Sequence, residues 1–291
     1  MLSYLLSFLF FLLVVLVGLL PFPFLYAISN FLGFLLRNVF GYRRKVIDSN
    51  LRRVFPELNE NQHKKLVQLS YKNLADIFLE SIKSFTMTPK QVIRRHRVVN
   101  PEVLNQFYLS NRSVIGVTAH YCNWEWGSLS ASLQTNFNVV ALYKRIDNKF
   151  IDRFVRSNRS KFGTTLASIS ETSKTFESYS SKLSAFLMAA DQRTLRSRRH
   201  LAYKVNFLGI ETLFLHGPEK YARLYNLPVV YIDVQRKKRG FYEVELSVLA
   251  DNPQELPDGE ITRRYAKTLE QIIRKQPENW LWSHRRWRFE N

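Results

Sequence analysis

The stretch SVIGVTAHYCNWEWGSL, residues 113–129, decides how the chain is read. Its first half is apolar and rich in β-branched residues, the composition of a buried strand. The run stops at Thr118-Ala119-His120. Asn123 then offers an N-cap for a helix over 123–133, with Glu125 in its first turn. A buried strand that gives way to a helix is the start of an α/β pattern. In open α/β sheets functional groups collect beyond the carboxyl ends of strands, which is where His120 falls. Positions five apart lie about 140° apart around a helix, so His120 and Glu125 do not share a helical face. A histidine at a strand end and a glutamate at a helix start remove that obstacle, because the chain folds back between them. A carboxylate on one imidazole nitrogen fixes the tautomer and raises the basicity of the other, which gives a general base for a hydroxyl. The same pair also fits an ordinary hydrogen-bonded contact. Cys122 reads either as a nucleophile or as a small buried side chain, and Trp124 and Trp126 either as core or as walls of a substrate site.

Working outward, further strands are expected at 138–144, 184–191, 227–235 and 242–249, and helices at 148–161, 171–180, 217–226 and 260–275. Upstream, Val67, Tyr71, Leu74, Phe78, Ile82 and Phe85 form one stripe of an amphipathic helix, and Thr88-Pro89 reads as the cap and first residue of another. The alternation predicts a single α/β domain over 37–291, with a mixed, mainly parallel sheet flanked by helices.

The first 36 residues carry no charge. Residues 2–20 would span about 28 Å as a helix, close to the hydrocarbon thickness of a bilayer. Pro21 and Pro23 break this run, and 24–36 form a second, membrane-associated stretch. No basic residue precedes the run and no cleavage site is evident, so a retained anchor over 1–36 is expected rather than a signal peptide. Arg37, Arg43, Arg44, Lys45, Arg52 and Arg53 follow against a lone Asp48, which places the remainder on the cytoplasmic side, against an anionic membrane surface. The formal net charge of +19 favours a polyanionic partner, whether nucleic acid, membrane or acidic protein, and the 46% apolar content excludes a disordered chain. A single cysteine excludes an internal disulfide and a cysteine-based zinc site.

AHYCNWE (119–125) resembles the His-x4-Asp/Glu motif of the lysophospholipid acyltransferase superfamily, in particular its branch of late acyltransferases of lipid A biosynthesis (lauroyl/myristoyl type). NLRRVFPEL (50–58), LYKRIDNKFIDR (142–153), AADQR (189–193), VNFLGIETLFLHGPEKYAR (205–223), LPVV (227–230) and PENWLWSHRRWR (277–288) resemble the same branch in the same order. The resemblance implies transfer of a fatty acyl chain from an acyl carrier protein thioester to a hydroxyl of a lipid A precursor at the inner membrane. His120 would be the general base and Glu125 its partner, with no metal, cofactor or covalent enzyme intermediate. A superfamily enzyme acting on a lysophospholipid, aminolipid or other glycolipid is the alternative. Many members carry Tyr-Arg-Pro where this chain has Tyr143-Lys144-Arg145, so either Lys144 or Arg145 would meet the oxyanion.

Asp191 ends the apolar run AFLMAA, again a carboxylate at a strand terminus; it reads as an acceptor-binding or arginine-orienting group beside Arg193, or as a cap. In RTLRSRRH (193–200), Arg196, Arg198 and Arg199 are candidates for phosphate or carrier-protein contacts, as are Arg285 and Arg286 in the tryptophan-rich C-terminal segment. Both segments also fit solvated loops or packed ends. His216-Gly217-Pro218 opens a helix whose amides could face an anion. No nucleic-acid motif is present, and none is expected as a partner.

Overall fold

The computed structural model describes residues 2–194 and 196–287; Arg288, which closes the C-terminal motif, lies outside them. Twenty regular elements follow one another along the described chain. Helices α1 (Leu2–Leu19), α2 (Phe22–Asn38), α3 (Arg44–Val54), α4 (Glu60–Lys83) and α5 (Pro89–Arg95) come first. Then come β1 (His96–Val98), α6 (Glu102–Leu109), β2 (Val114–Thr118), α7 (Gly127–Ser130), β3 (Asn138–Tyr143), α8 (Lys149–Ser160) and β4 (Thr165–Ser168). The chain continues through α9 (Thr172–Ser178), β5 (Ser184–Ala189), β6 (Ala202–Phe207), β7 (Ile210–Leu215), α10 (Gly217–Tyr225), β8 (Val229–Lys238), β9 (Phe241–Ala250) and α11 (Glu260–Lys275).

Seven strands form one sheet in the order β1-β9-β8-β2-β5-β3-β4, and β6-β7 is a separate antiparallel hairpin. Every pairing in the large sheet is parallel except β8 with β9. The expected mixed, mainly parallel α/β sheet is what forms. All five strands expected from the sequence are present. So are the helices over 60–83, 149–160 and 260–275, and the Thr88 cap, whose hydroxyl accepts from the Gln91 amide while the Gln91 side chain returns to the Thr88 amide.

The register of β2 with β5 sets the site. Thr118 pairs with Ala189 in parallel, so His120 and Asp191 each lie two residues past paired positions and leave the sheet on the same side. One face of the sheet packs under α10 and α11, with Val117, Val229, Ile261, Tyr265 and Leu269 in the core. The Tyr265 hydroxyl donates to the Thr118 carbonyl at 2.9 Å. Gly116 keeps the other face open at the centre of β2. A Cβ there would come within 2.7 Å of Ile232 and 2.8 Å of Leu187.

One expectation fails. The helix over 123–133 is broken into a 3-10 turn (Trp124–Trp126), the four-residue α7 and a second 3-10 turn. Asn123 does cap the first turn, its side chain accepting from the Trp126 amide.

The transmembrane helix expected over 2–20 is not found: among the described residues no helix is long and apolar enough to cross a membrane. Both α1 and α2 lie against the domain. Val14, Val17 and Leu25 are buried with Leu79 and Ile82 of α4, and Phe10 meets Phe85 and Phe154 edge-on. Hydrophobic burial against α4 and α8 accounts for the inner face, which the sequence run alone does not distinguish from a lipid-facing one. The outer face keeps Phe8, Phe11, Leu16, Phe24, Phe31 and Phe34 exposed.

Candidate active site

His120 stands at the mouth of a cavity of about 470 Å³ that runs beneath the open face of the sheet. That volume lies in the usual range for small-molecule sites. Alternate residues of neighbouring strands form its wall: Ala185, Leu187 and Ala189 on β5, Val139 and Ala141 on β3, and Val244 and Leu246 on β9. The period of two is that of a sheet face, and it lines a channel with aliphatic side chains. Thr118, Trp124, Glu125, Lys144, Arg159 and Gln192 gather at the polar end with His120.

The carboxylate on the imidazole is Asp191, not Glu125. Nδ1 of His120 and Oδ1 of Asp191 are 2.6 Å apart. The other oxygen, Oδ2, accepts from the His120 amide at 2.9 Å and from the Trp280 indole N–H at 2.9 Å. Burial would raise the Asp191 carboxyl, but the His120 charge and these hydrogen bonds outweigh it and hold the group at about 2. In return, burial pushes the His120 imidazole down and the Asp191 charge and hydrogen bond push it up more strongly, so it lies above the ordinary histidine value. An ionised Asp191 keeps the ring proton on Nδ1 and leaves the lone pair on Nε2. The Gln192 carboxamide nitrogen sits 3.1 Å from that Nε2 and donates to it.

Glu125 is spoken for by a residue the sequence reading did not single out. Arg159, on α8, reaches it with Nη2 at 2.6 Å and 2.8 Å and with Nε at 3.2 Å. The Trp124 indole adds a contact at 3.2 Å, and the Trp124 ring packs edge-on against His120. Both members of the ion pair are about a quarter exposed. The 3-10 turn is what directs Glu125 toward α8 rather than onto the imidazole.

The other singled-out residues separate clearly. Lys144 lines the cavity mouth, while Arg145 points outward to Glu171 in an exposed pair at 3.0 Å. Arg193 gives its backbone N–H to His284 Nε2 at 3.1 Å. Arg196, Arg198, Arg199 and Arg285 are exposed. Arg286 is not a surface contact, as expected from the sequence, but is 1% exposed; its Nη2 donates to the Leu213 carbonyl and its guanidinium lies over the Phe214 ring. Burial there serves packing of the C-terminal segment onto the β6-β7 hairpin. Cys122 is fully buried and burial pushes its thiol up to about 12, so it is no nucleophile. Trp126 is core. The C-terminal segment closes the back of the site, with Leu281 N–H donating to the His120 carbonyl and Cys122 N–H to that of Asn279.

Residues 1–289 match the family model of bacterial lipid A biosynthesis acyltransferases. The chain belongs to that family. It is an acyltransferase of lipid A biosynthesis. Among curated proteins it is similar to the lipid A biosynthesis lauroyltransferase of Escherichia coli (strain K12), with 24% identity over 288 residues that cover 92% of this chain and 87% of the relative. In this acyltransferase the strand-end histidine and the aliphatic channel are side by side, which suits a reaction at the head of a long apolar chain.

Proposed function

We propose that this acyltransferase moves a fatty acyl chain from an acyl carrier protein thioester to a hydroxyl of a lipid A precursor, with His120 as general base and Asp191 as its partner. The observation that carries the reading is the His120–Asp191 pair at the mouth of the aliphatic channel. The channel receives the acyl chain, and the thioester carbonyl comes to rest at the polar end. The Gln192 nitrogen marks the place of the incoming hydroxyl oxygen, because both are hydrogen-bond donors to the Nε2 lone pair. Nε2 takes the hydroxyl proton as the oxygen attacks the carbonyl. The tetrahedral oxyanion is stabilised by the nearby cations Lys144 and Arg159, the latter aimed by Glu125. Collapse breaks the carbon–sulfur bond, and His120 returns its proton to the departing thiolate. Asp191 stabilises the transient imidazolium throughout.

The outer face of the α1-α2 hairpin, rich in exposed phenylalanine and leucine, seats the enzyme in the bilayer surface. The basic residues after it face the anionic cytoplasmic leaflet of the inner membrane. Arg196, Arg198, Arg199 and Arg285 meet the phosphates of the acceptor and the acidic carrier.

The test is transfer from labelled acyl carrier protein to a tetra-acylated lipid A precursor in membranes, comparing wild type with His120→Ala. Transfer by the wild type and its collapse in the variant is expected. Undiminished transfer by a folded variant would remove His120 from the mechanism, and a folded wild type inert toward this acceptor would point to a different lipid hydroxyl.

A further inference from the structure

The mechanism leaves unused a carboxylate that is fully buried. Glu80, in the last turn of α4, is 0% exposed and accepts from three side chains on three different segments. The Tyr26 hydroxyl of α2 donates to Oε1 at 2.7 Å. The Tyr242 hydroxyl of β9 and the Asn123 amide of the His120 loop donate to Oε2 at 2.7 Å and 2.6 Å. The Glu80 backbone carbonyl also accepts from the Trp126 indole at 3.0 Å. Burying a carboxylate is costly unless its lone pairs are met, and here three donors meet them.

The Asn123 carboxamide has two ends, and both are used. Its nitrogen is held by Glu80, and its oxygen accepts from the Trp126 amide at 3.1 Å. It therefore fixes the short turn that sets Trp124 against His120 and Glu125 against Arg159. Through Tyr26 the same carboxylate holds α2, whose outer face is apolar and exposed. One helical turn away, Ser29 of α2 donates to the fully buried Asp76, which pairs with Arg236 and Arg239 and meets the Glu80 cluster only at one remove, where Arg236 donates to the Tyr242 hydroxyl at 3.3 Å and Arg239 lies over the Tyr26 ring.

We propose that Glu80 is a positioning residue for acyl transfer: through Asn123 it sets the turn that places Trp124 and Glu125 at the site, and through Tyr26 it makes that placement depend on the docking of α2. The inference rests on the reading of His120 as the catalytic centre. It gives the N-terminal hairpin a role in turnover besides membrane attachment.

Tyr26 and Ser29 give a matched pair, since each carries one hydroxyl from the inner face of α2 to a carboxylate of α4. The full-length enzyme, in vesicles of phosphatidylethanolamine and phosphatidylglycerol, is assayed as wild type, Tyr26→Phe and Ser29→Ala. Tyr26→Phe is expected to lower kcat about threefold to tenfold, the net effect of one ordinary hydrogen bond. Both KM values stay unchanged, and Ser29→Ala keeps the wild-type kcat. Equal losses in the two variants would mean that the hairpin matters only as a packed element, and an unchanged kcat in Tyr26→Phe would remove Glu80 from the site; either result overturns the proposal. A wild type that does not transfer to the lipid A precursor counts against the proposed acceptor. The comparison is then read from the rate of carbethoxylation at His120 by diethyl pyrocarbonate, which Tyr26→Phe alters and Ser29→Ala does not; equal rates in all three proteins reject it.

Discussion

Asp191 and Glu125 are two carboxylates beside one histidine, and their surroundings differ. Asp191 is 3% exposed and accepts from the ring, the backbone and an indole, so its position has no freedom. Glu125 is 25% exposed and is held by a guanidinium on a long flexible stem. A carboxylate that orients a base must be fixed with respect to the ring, whereas one that balances a cation need only lie near it. The contrast shows that the His-x4-Glu spacing marks the neighbourhood of the site without saying which carboxylate sits on the imidazole.

The largest effect should come from Asp191→Asn. Two donors, the His120 amide and the Trp280 indole, converge on Oδ2 and will select the amide oxygen for that place. The amide NH2 then faces Nδ1, which must become an acceptor, and the ring proton moves to Nε2, where the base is needed. A loss of about a thousandfold to ten-thousandfold in kcat/KM is expected, as for the wrong tautomer in a serine hydrolase triad. The pH profile gives an independent reading. Asp191 raises the His120 pKa, and the neutral ring is the active form, so wild-type activity rises with pH through a value above that of ordinary histidine. In the variant this limb moves to lower pH; a limb that stays in place would break the assignment.

Glu125→Gln sharpens the same comparison. It removes the charge that Arg159 balances but leaves the tautomer untouched. Activity should fall about tenfold to a hundredfold, less than the loss of an oxyanion donor outright, with the acid limb displaced only slightly. If Glu125→Gln instead matched Asp191→Asn in both size and pH shift, the pairing read from the sequence would be the functional one.

What was legible in the sequence was local. The five expected strands are apolar runs with turn residues between them, and each formed within a few residues of its expected bounds. β1 and β4, of three and four residues, are too short to carry a period. The β6-β7 hairpin turns through Leu208 and Gly209, both at positive φ; a leucine there hides the usual Asn-Gly or Asp-Gly signal. The His120–Asp191 contact spans 71 positions and is set by the β2-β5 register, which no spacing rule contains. Arg159 looks like any basic residue on an amphipathic helix, and Glu80 like a solvated one; only the tertiary partners of each show its part. The apolar N-terminus was plain in the sequence, but not that α4 would cover one side of it.

The smallest effect separates two neighbours that the sequence left equal. Lys144 and Arg145 follow β3 directly, and alternation along the chain sends one into the cavity mouth and the other to the surface. The Arg145–Glu171 pair is 62% and 50% exposed at its two ends. Pairs of this kind contribute about 0–1 kcal/mol, because solvent screens the charges and two long side chains must be held still. Arg145→Ala should therefore stay within about fivefold of wild type, the most that ~1 kcal/mol amounts to. Lys144→Ala should lower kcat by about tenfold through loss of one cation near the oxyanion. Because the residues are adjacent, both variants disturb the same loop to a similar degree, so a difference between them reports charge at the mouth rather than loop stability. The reverse ranking in transfer assays would mean that the loop after β3 turns over when substrate binds, bringing Arg145 inward and placing its guanidinium at the cavity mouth.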